Sequence, residues 1–420
     1  LRQYWGGGVE MRHRRPTSRL QLEKSFGSGH SHSSSAKQTD GEAAFSKTKP
    51  GHVMKKTPLT HRITKVVLLI LAALGLQSMT PIHAAPAALA LDHPQVKAVI
   101  AVQGAVTADM MQLPGILGTA VGLAENGTSA LVIYVDQDSP ARAEIVRSLP
   151  AQIRGVGVKV EMTEKFRAFA GKPGGGGGGG VSHTARQTPP IQLGTSGGWS
   201  KDLANGYCCG GTRGSLIQVN CVQYIMSNYH VFESDIVAGG NNTVATTGDP
   251  VIQPGLIDVN CNSANAQGVG TLVRLGSLPN ANVDVSIAQV VPGMVRSDGA
   301  ILEIGAISAS TVGASLNQGV KKSGRTTGLS SSSISGLNAT ISIAYDNECA
   351  GGPAFTKIFT GQIVIANRRS NFLNSGDSGS LMVENVASRP RAVGLLYAGS
   401  SSSAIANPIN DVLTFVGSQL

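Results

Sequence analysis

The chain has 420 residues, enough for two or three domains, and its 34 Lys and Arg against 25 Asp and Glu give a formal charge of +9. That charge is confined to residues 1–84, which hold 13 basic and 4 acidic residues, whereas the 21 basic and 21 acidic residues that follow cancel. The chain also lacks a basic stripe with interleaved aromatic residues. Functions that need a basic face are therefore excluded, and we expect no nucleic-acid partner.

The N-terminal 90 residues predict export rather than a folded domain. Residues 1–53 are rich in Gly, Ser, His and Arg without periodicity, and we expect a disordered upstream extension outside the working protein. Residues 54–90 predict a signal peptide, because Met54-Lys55-Lys56 is basic, residues 66–76 form an apolar run of 11 residues, and small residues follow. That run is short for a bilayer span, so an uncleaved membrane anchor is the less favoured alternative. We therefore expect a secreted protein, extracellular or periplasmic, with no stable membrane span after signal cleavage.

Residues 91–170 predict a small α/β domain. An Asn126-Gly127 pair between two apolar runs is typical of a tight hairpin turn, and Pro140 fits the first turn of a helix. The predicted elements are two strands, a helix and a further strand, at residues 119–123, 130–135, 140–149 and 158–162. We find no catalytic constellation among them.

Residues 171–189 predict a flexible linker, since Gly174 to Gly180 are seven consecutive glycines. A polyglycine run marks a domain boundary and a natural place for cleavage. The segment before it is either a removable pro-segment or a permanent accessory domain on a tether. Linker composition serves both equally, and both stay open.

From about residue 190 to residue 420 the chain predicts an all-β barrel or sandwich. Short apolar runs alternate with Gly, Asn and Ser clusters, and the only helix expected is Ile409–Val416 at the end. The predicted strands are Ser215–Val219 and residues 224–226, 271–275, 283–291, 339–344, 362–366, 380–383 and 392–397.

All five cysteines lie in the C-terminal half, at positions 208, 209, 221, 261 and 349. In an exported chain they predict one or two disulfides and one remaining thiol, with adjacent Cys208 and Cys209 bonded to different partners. Their spacing fits no zinc pattern and no histidines accompany them, so we expect neither a metal nor another cofactor.

Three residues form a candidate acyl-transfer triad. Ser378 lies in the glycine-flanked sequence Ser375–Ser380, and a serine needs a base within hydrogen-bond reach to act as a nucleophile. His230 is the only imidazole after residue 183, and Asp284 supplies a carboxylate between them in an alternating apolar stretch. Asp258 and Asp298 are weaker candidates because both lie in turn-like sequence. The order His, Asp, Ser is one of three known for this triad.

Four segments resemble blocks of the trypsin-like (chymotrypsin-clan) serine peptidases, in the family's order. Gly376-Asp377-Ser378-Gly379 is similar to the nucleophile loop, and Ser227-Asn228-Tyr229-His230-Val231 resembles the base-bearing strand end of bacterial members. Residues 283–288 resemble the segment of the third triad member, and residues 322–328 a turn of lytic-type bacterial proteases. The resemblance covers about residues 190–420. It implies two β-barrels, with His230 and Asp284 in the first and Ser378 in the second.

The same nucleophile loop suggests the supporting groups. Gly376 lacks a Cβ, so its N–H and that of Ser378 can point together at a developing oxyanion. The resemblance implies that Asp377 is buried and paired with Lys322, with Arg325 as second choice. By offset from Ser378 it places Phe372 at the floor of the specificity pocket, which disfavours cleavage after Lys or Arg and favours a small or apolar side chain.

These observations predict a secreted serine endopeptidase acting on protein or peptide substrates through an acyl-enzyme. One alternative is a catalytically silent protein of the same fold that binds peptides or cell-wall components. Another is an esterase using the same triad, although the chain lacks the Gly-X-Ser-X-Gly elbow of the α/β-hydrolases. The sequence leaves the natural substrate and the oligomeric state open.

Overall fold

The computed structural model describes residues 88–168, 181–204, 207–233, 245–273, 275–347, 352–367, 371–417 and 420. The predicted upstream extension, the signal peptide up to residue 87 and the polyglycine run lie outside the described residues. Within the described part of the chain, no helix is long and apolar enough to cross a membrane.

The N-terminal part is a small α/β unit, as predicted. Its elements are β1 (Leu89–Ala90), α1 (Pro94–Met110), β2 (Ile116–Leu123), β3 (Ser129–Asp136), α2 (Arg142–Ser148), β4 (Gln152–Ile153), β5 (Val156–Thr163) and β6 (Phe166–Ala168). Strands β2 and β3 form the expected hairpin, with Gly127 at φ +81° in its turn. Strand β5 pairs in parallel with β3, so helix α2 is the crossover between them.

Helix α1 was not predicted from the sequence. Pro94 occupies its first turn, and the His93 ring accepts a hydrogen bond from the N–H of Gln95 at 3.3 Å, which satisfies one free donor of the helix end. The buried positions are Val96, Val99 and Val102 with Gln103. These small side chains among alanines give a weak periodic signal, which is why the pattern alone does not identify the helix.

The first sheet of the C-terminal part has seven antiparallel strands in the order β10-β7-β13-β14-β15-β12-β11. Its strands are β7 (Thr195–Trp199), β10 (Gly211–Arg213), β11 (Ser215–Val219), β12 (Val222–Ser227), β13 (Pro250–Gln253), β14 (Gln267–Val273) and β15 (Ser286–Val290), with the separate pair β8 (Leu203–Ala204) and β9 (Tyr207–Cys208) and the one-turn helix α3 (Tyr229–Phe232). Alternating Val and Ile side chains fill its interior, and 3₁₀ turns lie at Leu256–Asp258 and Ser263–Asn265.

The second sheet holds the remaining strands. Apart from β16 (Ser315–Leu316), which forms a separate two-stranded sheet with β1, they are β17 (Gly319–Gly324), β18 (Gly328–Asn347), β19 (Gly352–Ala366), β20 (Leu381–Glu384), β21 (Ala392–Gly399) and β22 (Ser403–Pro408), followed by helix α4 (Ile409–Val416). Helix α4 has the predicted bounds and ends at Gly417, which has φ +64°. The predicted all-β class is confirmed for this part of the chain.

The small α/β unit and the second sheet share one continuous sheet of eleven strands. Strand β2 pairs antiparallel with the long strand β18, through Val121 with Leu337 and Thr119 with Thr340. Strand β6 lies between two strands of the C-terminal part, parallel to β18 and antiparallel to β21. The segment before the linker is thus hydrogen-bonded to the domain after it.

The bonding of the described cysteines agrees with the prediction from the sequence. Cys208 and Cys261 form a disulfide across a sequence separation of 53, and Cys209 is disulfide-bonded as well. Cys221 is free and exposed. The Cys208–Cys261 bond ties strand β9 to the loop after the first 3₁₀ turn, beside a small cluster of Ile252, Leu256 and Ile257.

Candidate active site

His230 and Asp284 are brought together by the pairing of β12 with β15. Ser227 lies opposite Ser286 in that ladder, so the residues just after β12 meet the residues just before β15. His230 Nδ1 lies 2.7 Å from Asp284 Oδ2, and the Asp284 side chain is completely buried. An ionised carboxylate can only accept a hydrogen bond, so in this pairing Nδ1 is the donor and the neutral ring keeps a lone pair on Nε2.

The Asp284 carboxylate is held by several further groups. Its Oδ1 accepts the N–H of Tyr229 at 2.7 Å, and its own backbone carbonyl accepts from the Asn228 amide at 2.7 Å. The Asp284 N–H donates to Asn407 Oδ1 at 2.9 Å, from strand β22 of the second sheet. These contacts hold both the backbone and the side chain of Asp284 in one orientation.

Ser378 and His230 are brought near each other around strand β10. A Cβ at Gly211 would lie 2.7 Å from the Val231 side chain and 2.9 Å from the carbonyl oxygen of Ser378, so glycine is required there. The Thr212 N–H donates to that same carbonyl at 2.8 Å, and Ser227 Oγ donates to the carbonyl of Thr212 at 2.7 Å. Strand β10 therefore connects the turn that holds His230 to the turn that holds Ser378.

The hydrogen bond from Ser378 Oγ to the base is not formed in this structure. His230 Nε2 is buried and has no partner among the described residues, while Ser378 Oγ donates to the carbonyl of Tyr397 at a long 3.4 Å. Catalytic hydrogen bonds often tighten only when substrate binds. The unpartnered nitrogen is the acceptor that a nucleophilic serine requires.

The two residues before Ser378 are buried, and one of their backbone N–H groups has no acceptor among the described residues. Gly376 has φ +92°, and its carbonyl is turned away by a 2.9 Å hydrogen bond from Thr212 Oγ1. The Gly376 N–H has no acceptor within the part of the chain that the structure describes. A carbonyl fixed on one side and a free N–H on the other is the geometry an oxyanion hole needs.

Asp377 and Lys322 form a buried ion pair, 3.2 Å apart, and both side chains are completely inaccessible to solvent. Asp377 also accepts the N–H groups of Thr326, Thr327 and Asn374 at 2.9, 3.1 and 2.9 Å. Lys322 donates to the carbonyl of Gly328 at 3.1 Å and to Thr327 Oγ1. Burial lowers the pKa of the Lys322 ammonium, and the charge of Asp377 opposes that effect.

The alternative residues considered from the sequence have other partners. Arg325 lies against Asp258, with Nε 3.0 Å from Oδ2 and Nη2 2.5 Å from Oδ1, so it is not the partner of Asp377. Asp298 pairs with Arg296 at 2.6 Å on the exposed surface. Neither Asp258 nor Asp298 is bonded to His230.

Phe372 is fully buried in the hydrophobic core of the second sheet. Its neighbour Leu373 lies against the end of strand β21, because a Cβ at Gly399 would be 2.9 Å from Leu373 Cδ2. Asn367 fixes the backbone of Leu373 in both directions, at 2.8 and 3.1 Å. An offset in sequence cannot distinguish these neighbours, since both are large and apolar.

The structure adds one residue that the sequence analysis missed. Tyr345, on strand β18, donates its hydroxyl to Asp284 Oδ2 at 2.9 Å. Nothing in the local sequence of Tyr345 signals this contact, which joins residues 61 positions apart. Among the described residues, no group of three or more His, Cys, Asp or Glu is arranged to hold a metal ion.

Neither a protein-family model nor a curated protein sequence matches this chain. Solved structures do show similarity to it. A glutamic acid-specific serine protease is 14% identical with a TM-score of 0.36, over 55% of this chain and 100% of its own. Cellulomonas bogoriensis chymotrypsin (17% identity, TM-score 0.35) and Thermobifida fusca protease A (18%, 0.35) each match 55% of this chain and 97% of theirs.

Proposed function

We propose that the chain is an exported serine endopeptidase that uses Ser378, His230 and Asp284 to hydrolyse peptide bonds. The observation that carries this proposal is the Asp284–His230 pair, which leaves Nε2 buried and unpartnered beside the turn that holds Ser378. The Cys208–Cys261 disulfide supports export, because disulfides persist in oxidising compartments. The Leu373 side chain against Gly399 favours small or apolar substrate side chains.

In the first half of the reaction, Ser378 Oγ attacks the scissile carbonyl while its proton passes to His230 Nε2. Asp284 stays ionised and stabilises the imidazolium that forms. The N–H groups of Gly376 and Ser378 stabilise the negative charge on the carbonyl oxygen. The tetrahedral intermediate then collapses, the C–N bond breaks, and His230 returns the proton to the leaving amine.

In the second half, water replaces the amine. His230 Nε2 takes a proton from the water, whose oxygen attacks the acyl-enzyme carbonyl. The ester bond to Ser378 then breaks and Oγ recovers its proton from His230. Each half needs the same base and the same oxyanion donors, so one fixed constellation serves both.

A fluorophosphonate probe tests the proposal, because it reacts covalently with an activated serine. We expect wild-type protein to be labelled and both Ser378→Ala and His230→Ala to remain unlabelled. The measurement is fluorescence of the protein band after timed exposure, on intact protein and on protein cut at the polyglycine run. Protein that folds but shows no labelling in either form would instead support the silent binding protein.

Relative rates on matched ester and amide substrates distinguish an endopeptidase from an esterase. If the protein is an endopeptidase, it must cleave an internal peptide bond in an unstructured protein substrate. Ester hydrolysis without any amide cleavage would contradict it.

We also propose that residues 88–168 act as an inhibitory pro-segment rather than as a tethered accessory domain. Arg167 of β6 lies in antiparallel register with Gly399, two residues after Tyr397, whose carbonyl accepts from Ser378 Oγ. The same strand lies beside residues 343–345 of β18. An extended substrate that adds a strand to this edge would need the place that β6 occupies.

Contacts next to β6 strengthen this attachment. Thr163 Oγ1 lies 2.7 Å from Ser400 Oγ and 2.8 Å from Ser402 Oγ, and Glu164 accepts the N–H of Ser401 at 3.3 Å. These serines follow directly on the end of β21. Residues 88–168 therefore contact both strand β21 and the loop that follows it.

Arg167→Pro is expected to raise the fluorophosphonate labelling rate of the intact chain about 5-fold, since proline removes one backbone donor and a lost hydrogen bond weakens the strand pairing by about 1 kcal/mol. Labelling rate constants are compared with Arg167→Ala, which keeps the backbone N–H. Equal rates for the two variants would contradict occupation of the substrate strand by β6.

A further inference from the structure

Tyr345 lies on a strand of the second sheet and contacts the His230–Asp284 pair of the first sheet. Its hydroxyl donates to Asp284 Oδ2 at 2.9 Å, the same oxygen that lies 2.7 Å from His230 Nδ1. The other oxygen, Oδ1, accepts from the Tyr229 N–H. The carboxylate is thus held at both oxygens, and Tyr345 is the one side-chain hydroxyl among its described hydrogen bonds.

The Tyr345 ring also contacts the base. Its centroid lies 6.0 Å from that of His230 with the planes at 71°, an edge-to-face arrangement, and Phe355 and Phe359 pack against its other sides. Only 3% of Tyr345 is exposed. Two rotatable bonds buried among aromatic rings leave the hydroxyl little freedom, so the donor is fixed in advance of any reaction.

The Tyr345 hydroxyl keeps its proton, which allows it to act as a hydrogen-bond donor. Burial raises the pKa of its phenol well above the ordinary value, and the charge of Asp284 raises it further. The phenol therefore remains protonated at neutral pH.

We propose that Tyr345 is a positioning residue of the triad, which fixes the Asp284 carboxylate and limits the negative charge that it presents to His230. This inference rests on the proposed function. A donor on Oδ2 shares the charge that would otherwise act on the imidazolium alone. Removing that donor strengthens the attraction between Asp284 and protonated His230, so the pKa of His230 rises.

The other charged or titratable groups near the His230–Asp284 pair keep their own contacts when only the Tyr345 hydroxyl is removed. Glu233, which caps the C-terminal end of the helix that holds His230, accepts hydrogen bonds from Ser286 Oγ and from the N–H groups of residues 275 and 276. Tyr397 donates to Gln362. Lys357 lies over the Phe359 ring, and Arg167 lies on strand β6 beside β18.

Tyr345→Phe keeps the ring and removes only the hydroxyl. We expect an upward shift of about 0.5–1 pH unit in the His230 pKa and in the acidic limb of the kcat/KM profile, because a hydrogen bond to a charged group is lost. We also expect kcat to fall about 10-fold, because the carboxylate is less well oriented. Tyr224→Phe, on strand β12, is the matched control and should change neither quantity.

The His230 pKa is measured by NMR in a Ser378→Ala background, with His230→Ala to assign the resonance. This readout needs no catalysis, so it tests Tyr345 even if the wild-type protein fails to react with fluorophosphonate. An unchanged His230 pKa in Tyr345→Phe would overturn the proposal, whether or not kcat falls. A rise in pKa with the fold intact by circular dichroism would support it.

Discussion

Asp284→Asn is expected to lower kcat about 10⁴-fold while leaving the fold intact. The amide oxygen can still accept the Tyr229 N–H, which the carboxylate accepts at 2.7 Å. The amide nitrogen would then face His230 Nδ1 as a donor, where Oδ2 now lies 2.7 Å away as an acceptor. Nδ1 must become the acceptor, so the proton moves to Nε2 and the base can no longer take a proton from Ser378.

The measurement is steady-state kcat on an activated ester and on a peptide, with circular dichroism to verify folding. Asp298→Asn is the matched control, because Asp298 was a candidate from sequence and lies on the surface beside Arg296. It should retain activity within about 2-fold, as expected of a surface substitution. A similar loss in both variants, or none in Asp284→Asn, would remove Asp284 from the proposed mechanism.

The sequence was most informative where chemistry depends on residue type. Few residue types serve as nucleophile, base and orienting acid, so Ser378, His230 and Asp284 could be chosen before their geometry was known. The Lys322–Asp377 pair, 3.2 Å apart in the structure, was expected only because the segment resembles a turn of the lytic-type bacterial proteases. Tyr345 was not, because a tyrosine in a strand is ordinarily a packing residue and its contact crosses between two sheets.

Some features of the fold could likewise be predicted from the sequence, and others could not. Alternating strands and the Asn126-Gly127 turn follow local rules, and the structure has them. Helix α1 was missed because its small side chains give little periodicity. The pairing of β2 with β18 was also missed, because it depends on which exposed edge is free in the assembled sheet. No property of residues 116–123 alone specifies a partner more than 200 residues later.

Lys322→Met is expected to destabilise the protein by about 3–5 kcal/mol, the usual effect of removing one partner from a buried ion pair. Methionine approximates the volume of the lysine stem, so the packing changes little. Asp377 would keep its backbone donors but lose the only positive charge bonded to it among the described residues. Since Asp377 shapes the turn before Ser378, we also expect kcat to fall about 10²-fold through weaker oxyanion donors.

Lys321→Met is the matched control, because Lys321 directly precedes Lys322 in β17 and its amine donates to the carbonyl of Val386 on the exposed surface. Urea unfolding in a Ser378→Ala background gives both free energies without self-digestion. Lys322→Met with Asp377→Asn should recover part of the stability, since the uncompensated charge is then gone. If Lys322→Met loses no more stability than Lys321→Met, the buried pair does not hold the nucleophile turn in shape. The neutral donors from Thr326, Thr327 and Asn374 would then suffice to do so.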